Sequence, residues 1–220
     1  MEDRVFALRA LNEQLPASKL DRREHILATA RDLMVQQGVG AVTVRGVARA
    51  AGMAPGNLGY YFANLDELIH ALLDWVLAPY LSAFQFLLAD TAGDPIASLR
   101  AVLKYVLDDL SSENTTKFFP ELWVLANRSE RSALRMRELY DTYMDVLKKL
   151  VGAARPDFTD QQIDEMALFV CASIEGQTVF IGFERPYQKS RAAVQAIALN
   201  AMVTTVMYYD RESYDREDSL

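Results

Sequence analysis

Cysteine is almost absent, Cys171 being the single thiol in the chain. No internal disulfide can close, so the fold must rest on a packed core, and the composition fits a reducing compartment. Histidine is nearly as scarce. His25 and His70 have no second His or Cys at ligand spacing, so no metal site is expected. No Ser/His/Asp or Cys/His arrangement and no phosphate-cradling glycine loop points to an enzyme, and no cofactor is called for. Sustained alternation of apolar and polar residues is missing, which leaves no strand signal. No stretch is expected to reach the length of a membrane span, and the N-terminus lacks a secretory apolar region. These absences read as a cytoplasmic protein with no membrane partner.

Positive charge is in deficit. The 23 Lys and Arg residues stand against 30 Asp and Glu, a net charge of -7, which excludes a general nucleic-acid or membrane-surface binder. The deficit is uneven. From Lys19 to Asn64 six basic side chains (Lys19, Arg22, Arg23, Arg31, Arg45, Arg49) face three acidic ones (Asp21, Glu24, Asp32), whereas Leu65 onward holds 15 basic and 24 acidic residues. A locally basic head on an acidic body suits a small DNA-reading module carried by a larger domain.

What is present is helical period nearly everywhere, over 220 residues of which 51% are apolar, enough to bury a sizeable core. Val5, Phe6, Leu8, Leu11 and Leu15 sit at near-helical spacing in an arm over residues 1–18 that stops at Pro16. A first full helix is expected from Asp21, where Asp21 and Glu24 resemble a capping box, with an apolar stripe of Ile26, Leu27, Ala30, Leu33 and Met34 ended by Gly38 and Gly40. Thr43 suits the N-cap of a second helix that stops at Gly52, and Pro55 the first position of a short third helix to Tyr61. Asn64 and Glu67 open a long fourth helix, which Pro79 is expected to kink or divide. Asp94-Pro95 opens a fifth, a sixth carries Pro120 near its first turn, and a seventh runs from about Glu130 to Gly152. Thr159 and Gln162 box the start of an eighth helix to about Phe183, and a ninth covers Ser190 to Asp210. A charged tail, 213–220, follows.

The stretch from Thr43 to Leu68, TVRGVARAAGMAPGNLGYYFANLDEL, joins two short helices through a tight turn at Gly52, with Ala48 and Ala51 small enough for a close crossing. That is a helix-turn-helix, whose last helix enters the major groove with Pro55, Gly56 and Asn57 toward DNA.

From Arg23 through Leu68 the order of helices, glycines and the YYF run resembles the TetR-type bacterial transcriptional repressors. The resemblance implies an all-α chain: a three-helix helix-turn-helix DNA-binding domain at 19–66, then a six-helix effector-binding and dimerisation domain at 67–212. It implies DNA contacts at Thr43, Arg45, Asn57, Tyr60 and Tyr61, beside Pro55 and Gly56 at the start of the recognition helix, with Phe62 as the core plug beneath. A guanidinium reads guanine or clamps phosphate, an amide pairs with adenine, and a hydroxyl donates to phosphate. Tyr60 and Tyr61 have a plainer alternative, packing on the next helix. The chain departs from the family where a lysine often opens the recognition helix and another follows the aromatic run, since Pro55 and Leu65 stand there, and Gly59 replaces a common aromatic.

The resemblance also implies a cavity for a small, largely apolar effector among the fourth to eighth helices, for which Trp75, Phe119, Trp123, Tyr143, Cys171 and Glu175 are the candidates. Each ring could equally be plain core, and Cys171 a small core residue. Glu175 stands among apolar residues, so it either lies on a wet face or pairs with an Arg or an effector. The eighth and ninth helices carry apolar stripes, and Ile163, Met166, Val170, Ile174, Val194, Ile197, Ala201 and Met202 are expected to meet a second copy in a four-helix interface. A homodimer would present two recognition helices to a palindromic operator in double-stranded DNA, and effector binding would tilt the fourth helix, change their separation and release repression. The alternative is a helical interaction module without specific DNA binding.

Overall fold

The computed structural model describes residues 17–91, 93–128 and 130–210. The arm expected up to Pro16 and the tail at 213–220 lie outside them. Among the described residues every regular element is helical: α1 (Ala17–Gln37), a 3-10 turn (Val39–Ala41), α2 (Val44–Ala50), α3 (Pro55–Leu58), α4 (Leu65–Asp90), α5 (Pro95–Asp109), α6 (Glu113–Ala126), α7 (Glu130–Ala154), α8 (Asp160–Ile181), a second 3-10 turn (Gln188–Ser190) and α9 (Arg191–Tyr208).

Local chemistry sets most of the boundaries. Oγ1 of Thr43 accepts the Gly46 N–H at 2.9 Å, Oδ1 of Asp94 that of Ala97 at 2.9 Å, and Thr159 with Gln162 forms a reciprocal capping box. At the start of α4 Oδ1 of Asn64 accepts the Glu67 N–H, while the Glu67 carboxylate reaches back to the Ala63 N–H at 2.7 Å. Three boundaries differ from expectation. α1 already runs from Ala17, so Asp21 and Glu24 lie inside it rather than capping it; the preceding Ser-Lys-Leu tolerates helix well. α6 starts at Glu113 under a Ser112 cap, which leaves Pro120 well inside the helix. α3 is one turn long, and a further turn leads to Tyr61.

α4 differs most. It continues through Pro79, which removes one backbone N–H bond without ending the helix. At 26 residues, with an 18-residue window of mean hydropathy 1.5, it is long and apolar enough to cross a membrane, contrary to the expectation from sequence. Its Leu68, Ile69, Leu72 and Leu73 instead fill a protein core.

The chain forms two compact units. The first comprises the described residues up to Gln85 together with Ser112–Thr142; the second comprises Phe86–Ser111 and the described residues from Tyr143 on. In the first, α1 packs on α6 and on α2, and α2 on α3. Ile26, Ala30 and Met34 of α1, Val47 and Ala48 of α2, Leu58, Phe62, Leu68 and Leu72, and Phe118 and Leu122 of α6 share one core. In the second, α9 packs on α5 and α8. Two arginines close helix ends there: Arg155 donates to the carbonyls of Val206, Met207 and Tyr209, and Arg191 to those of Ile181 and Gly182.

The stripe expected to face a second copy is largely internal. Met166, Val170, Ile174 and Met202 are buried within one chain, Ile163 and Val194 are half-buried, and only Ile197 and Ala201 point outward. α8 is apolar on two faces, and its periodicity marks the one that fills the core. The outward face carries Leu168, Phe169, Val179 and Phe180 on α8, Tyr187 in the following turn and Ile197 on α9, all exposed.

Candidate nucleic-acid interface

The head is a buried scaffold with an exposed polar rim. Val47, Ala48, Ala51, Leu58 and Phe62 are buried, and between them Thr43, Arg45, Arg49, Pro55, Gly56, Asn57 and Tyr60 are exposed. Gly52 makes this possible: at φ 65° it takes a left-handed turn that a side chain would strain, and the chain leaves α2 for α3 without a longer loop. Thr43 uses an oxygen lone pair on the Gly46 N–H and keeps its hydroxyl proton for an external acceptor such as phosphate. Arg45 sits in the first turn of the capped α2. An open groove of about 450 Å³ brings together Arg22, Gly52, Met53, Ala54, Asn57, Tyr60 and Tyr61. Thr43 and Arg45 lie outside its lining.

The two tyrosines are placed differently. Tyr60 is 69% exposed, while Tyr61 is half-buried against the core and meets Tyr60 edge-on at 5.3 Å. The backbone of this run is held by a residue that sequence reasoning missed. Arg23 of α1 donates from Nη1 to the Tyr61 carbonyl at 2.8 Å, and its guanidinium stacks 4.3 Å from the centroid of Phe62. Burial pulls the Arg23 pKa below its ordinary value, opposed by the Glu67 carboxylate, and the group stays cationic. Glu121 of α6 was also missed: its carboxylate accepts the Val39 N–H at 2.7 Å, tying α6 to the turn that precedes α2. Both bonds join a side chain to a distant backbone group, for which a sequence carries no periodic sign.

The effector candidates divide between the units. Trp75, Phe119 and Trp123 belong to the first. Trp75 lies beneath Arg31, 5.3 Å from its ring centroid; Phe119 meets Phe118 and Tyr80 edge-on; and Nε1 of Trp123 donates to the Tyr140 hydroxyl at 2.8 Å. Tyr143, Cys171 and Glu175 belong to the second. Tyr143 and Cys171 are buried, and Glu175 is half-buried one helical turn beyond the thiol. Burial, and then the Glu175 carboxylate, push the Cys171 thiol up to about 12. The nucleophilic thiolate is therefore scarce below that pH. At about pH 8 the folded protein is expected to leave Ellman's reagent unreacted until denaturant is added; rapid release of one equivalent of chromophore without denaturant would count against a buried thiol.

Comparison with known proteins covers both the head and the C-terminal helices. Residues 26–72 match the family described as bacterial regulatory proteins, tetR family, and residues 95–204 match the C-terminal domain described as BetI-type transcriptional repressor. An uncharacterized HTH-type transcriptional regulator in the dhlA 5′ region of Xanthobacter autotrophicus is 30% identical over 161 residues, covering 72% of this chain and 78% of that one. The HTH-type transcriptional repressor KstR2 of Mycobacterium tuberculosis is 27% identical over 146 residues, covering 62% of this chain and 70% of its own. Among solved structures, Salmonella enterica GusR shares the fold with a TM-score of 0.67 at 19% identity, over 86% of this chain and 96% of that one.

Proposed function

This chain belongs to the TetR family of bacterial regulatory proteins and is a DNA-binding transcriptional regulator rather than an enzyme; from that premise we propose that it acts in the cytoplasm as a homodimeric repressor, released from a palindromic operator by a small, largely apolar effector. The observation that carries the reading is the head itself. Thr43, Arg45, Asn57 and Tyr60 stand exposed on or directly beside α2 and α3, whose opposite faces are buried, so their polar groups face outward and can bind outside the protein. Thr43 and Arg45 are assigned to α2-side contacts, and Pro55, Gly56, Asn57, Tyr60 and Tyr61 to the major groove and its flanking phosphates.

The effector is assigned to the aromatic side chains of α4, α6 and α7 in the first unit. Trp75, Phe119 and Trp123 offer apolar rings, and the Tyr80 hydroxyl at 3.1 Å from Oγ1 of Thr115 and the Tyr140 hydroxyl offer polar tips, a combination that suits an apolar molecule with a few oriented groups. Coupling to DNA has a short route through one hydrogen bond. A shift of α6 moves Glu121, Glu121 holds the Val39 N–H, and that turn leads within a few residues into α2. Together with a tilt of α4 this changes the separation of the two recognition helices, so effector and operator oppose each other by linkage.

Binding to the DNA upstream of its own gene, footprinted across a salt series, tests the reading. A protected palindrome with a steep salt dependence is expected, and Arg45→Ala should weaken it by about 10- to 100-fold, the range for loss of a good base contact. Equal binding by wild type and Arg45→Ala would remove Arg45 from the interface.

A further inference from the structure

We propose that Lys19 and Arg22, on the first two turns of α1, form a phosphate clamp beside the recognition helix, with the ring of Tyr60 as the platform that holds the lysine. The inference rests on the DNA-binding reading and assigns a contact that neither α2 nor α3 supplies.

The first observation is an absence of charge. Between Arg49 and Arg100 the sequence contains no lysine or arginine, so the recognition helix, the aromatic run and all of α4 carry neither of these cations. Leu65 opens α4 and packs on the core, and α4 begins with Asp66 and Glu67. A recognition helix seated in the major groove has phosphates on both flanks. Arg45 and Arg49 of α2 can serve one flank. The flank next to Tyr60 must take its counter-charge from another element.

The second observation is how the remaining basic residues of the head are used. Arg23 is committed to the Tyr61 carbonyl and the Phe62 ring. Arg31 is committed to Asp32 at 2.7 Å and lies over Trp75. Arg131, from α7, pairs with Asp66 at 2.7 Å. Among the described residues of the head this leaves Lys19 and Arg22, three residues apart and therefore on one face of α1. Arg22 lines the open groove with Gly52, Asn57 and Tyr60. Nζ of Lys19 stands 4.1 Å from the centroid of the Tyr60 ring, and that ring is itself largely exposed.

A ring beneath an ammonium leaves its outward donors unused. The cation–π contact holds the charge in place weakly, while a phosphate oxygen above it meets a charge whose side chain is already ordered. Lys19 is thus a positioned point charge that reads backbone and not sequence. It stands in for the basic residue missing at the start of α4.

Lys19→Met keeps the aliphatic stem over Tyr60 and removes only the charge. Binding to the footprinted upstream duplex and to a scrambled duplex of the same length, about 30 base pairs, would be measured from about 50 to about 300 mM KCl. The variant is expected to weaken both by a similar factor and to flatten the slope of log K against log salt by about 0.9 per lost phosphate contact, so by roughly two for a dimer using both copies. Lys19→Arg should restore the slope, and both variants should melt with the wild type. An unchanged slope for Lys19→Met makes the lysine a staple for Tyr60 and overturns the clamp. So does a loss confined to the upstream duplex, which would make it a base reader. If wild type binds neither duplex at the lowest salt, the DNA-binding reading fails with it, an outcome distinct from wild-type binding with an insensitive Lys19.

Discussion

Alanine at position 46 is expected to unseat α2 and abolish operator binding. Glycine to alanine inside a helix ordinarily stabilises by about 1 kcal/mol, so the expected sign is the reverse of the usual one. The reason is local. Gly46 is the third residue of α2, and a Cβ built on it would run into the backbone carbonyl oxygen of Ala41 and lie 3.0 Å from Oγ1 of Thr43. Ala41 cannot yield freely, because its carbonyl accepts the Thr43 N–H at 2.9 Å and the next residue, Val42, is buried. α2 cannot yield freely either, since Val47 is fully buried beside it. Forcing the two apart should cost about 1–3 kcal/mol in strain, and roughly 1 kcal/mol more if the Thr43 cap breaks. Gly56 is the matched control, as its Cβ would enter open space. Chemical denaturation should show Gly46→Ala destabilised and Gly56→Ala close to wild type; a Gly46→Ala chain more stable than wild type would refute the steric account.

Gly46 also shows the limit of what the sequence reveals. Thr43, Asn64, Asp94 and Thr159 can be read as caps because a cap is complete within four residues. The close approach of Ala41 to Gly46 is just as local, yet it depends on backbone geometry that no residue type announces. Long-range ties are further out of reach: the Arg23 bond spans 38 positions and the Glu121 bond 82, and in the sequence both side chains look like ordinary polar members of amphipathic helices. The exposed rim of the head was legible because the motif orders it. The grouping of the effector candidates was not, since an inventory of rings does not say which compact unit each belongs to, and Trp75 and Tyr143 fall in different ones.

The same limit decides the interface between copies. Periodicity finds an apolar stripe but does not distinguish one that fills the chain's own core from one left exposed, and α8 carries both kinds. Phe180, 57% exposed, and Ile197, 69% exposed, belong to the outward face; Val170, buried, belongs to the inward one. Phe180 also lines an apolar groove with Gly176, Ile181, Tyr187 and Val194, so the outward face is shaped as well as apolar. If a second copy covers it, Phe180→Asp and Ile197→Asp each place two unpaired carboxylates in the two-fold interface, one from each chain. An unpaired buried charge costs about 3–5 kcal/mol, so each variant should weaken association by several kcal/mol, enough to give monomers at micromolar concentration. Because both positions are exposed in the single chain, helix content should stay at the wild-type level, whereas Val170→Asp should unfold the chain. A monomer presents one recognition helix at a time and should lose more than about 100-fold in affinity for a palindrome. Light scattering reads the mass and the footprint reads the affinity. Dimer mass retained by both variants would move the interface off this face. Monomers that still protect both half-sites at wild-type concentrations would break the link between pairing and operator recognition.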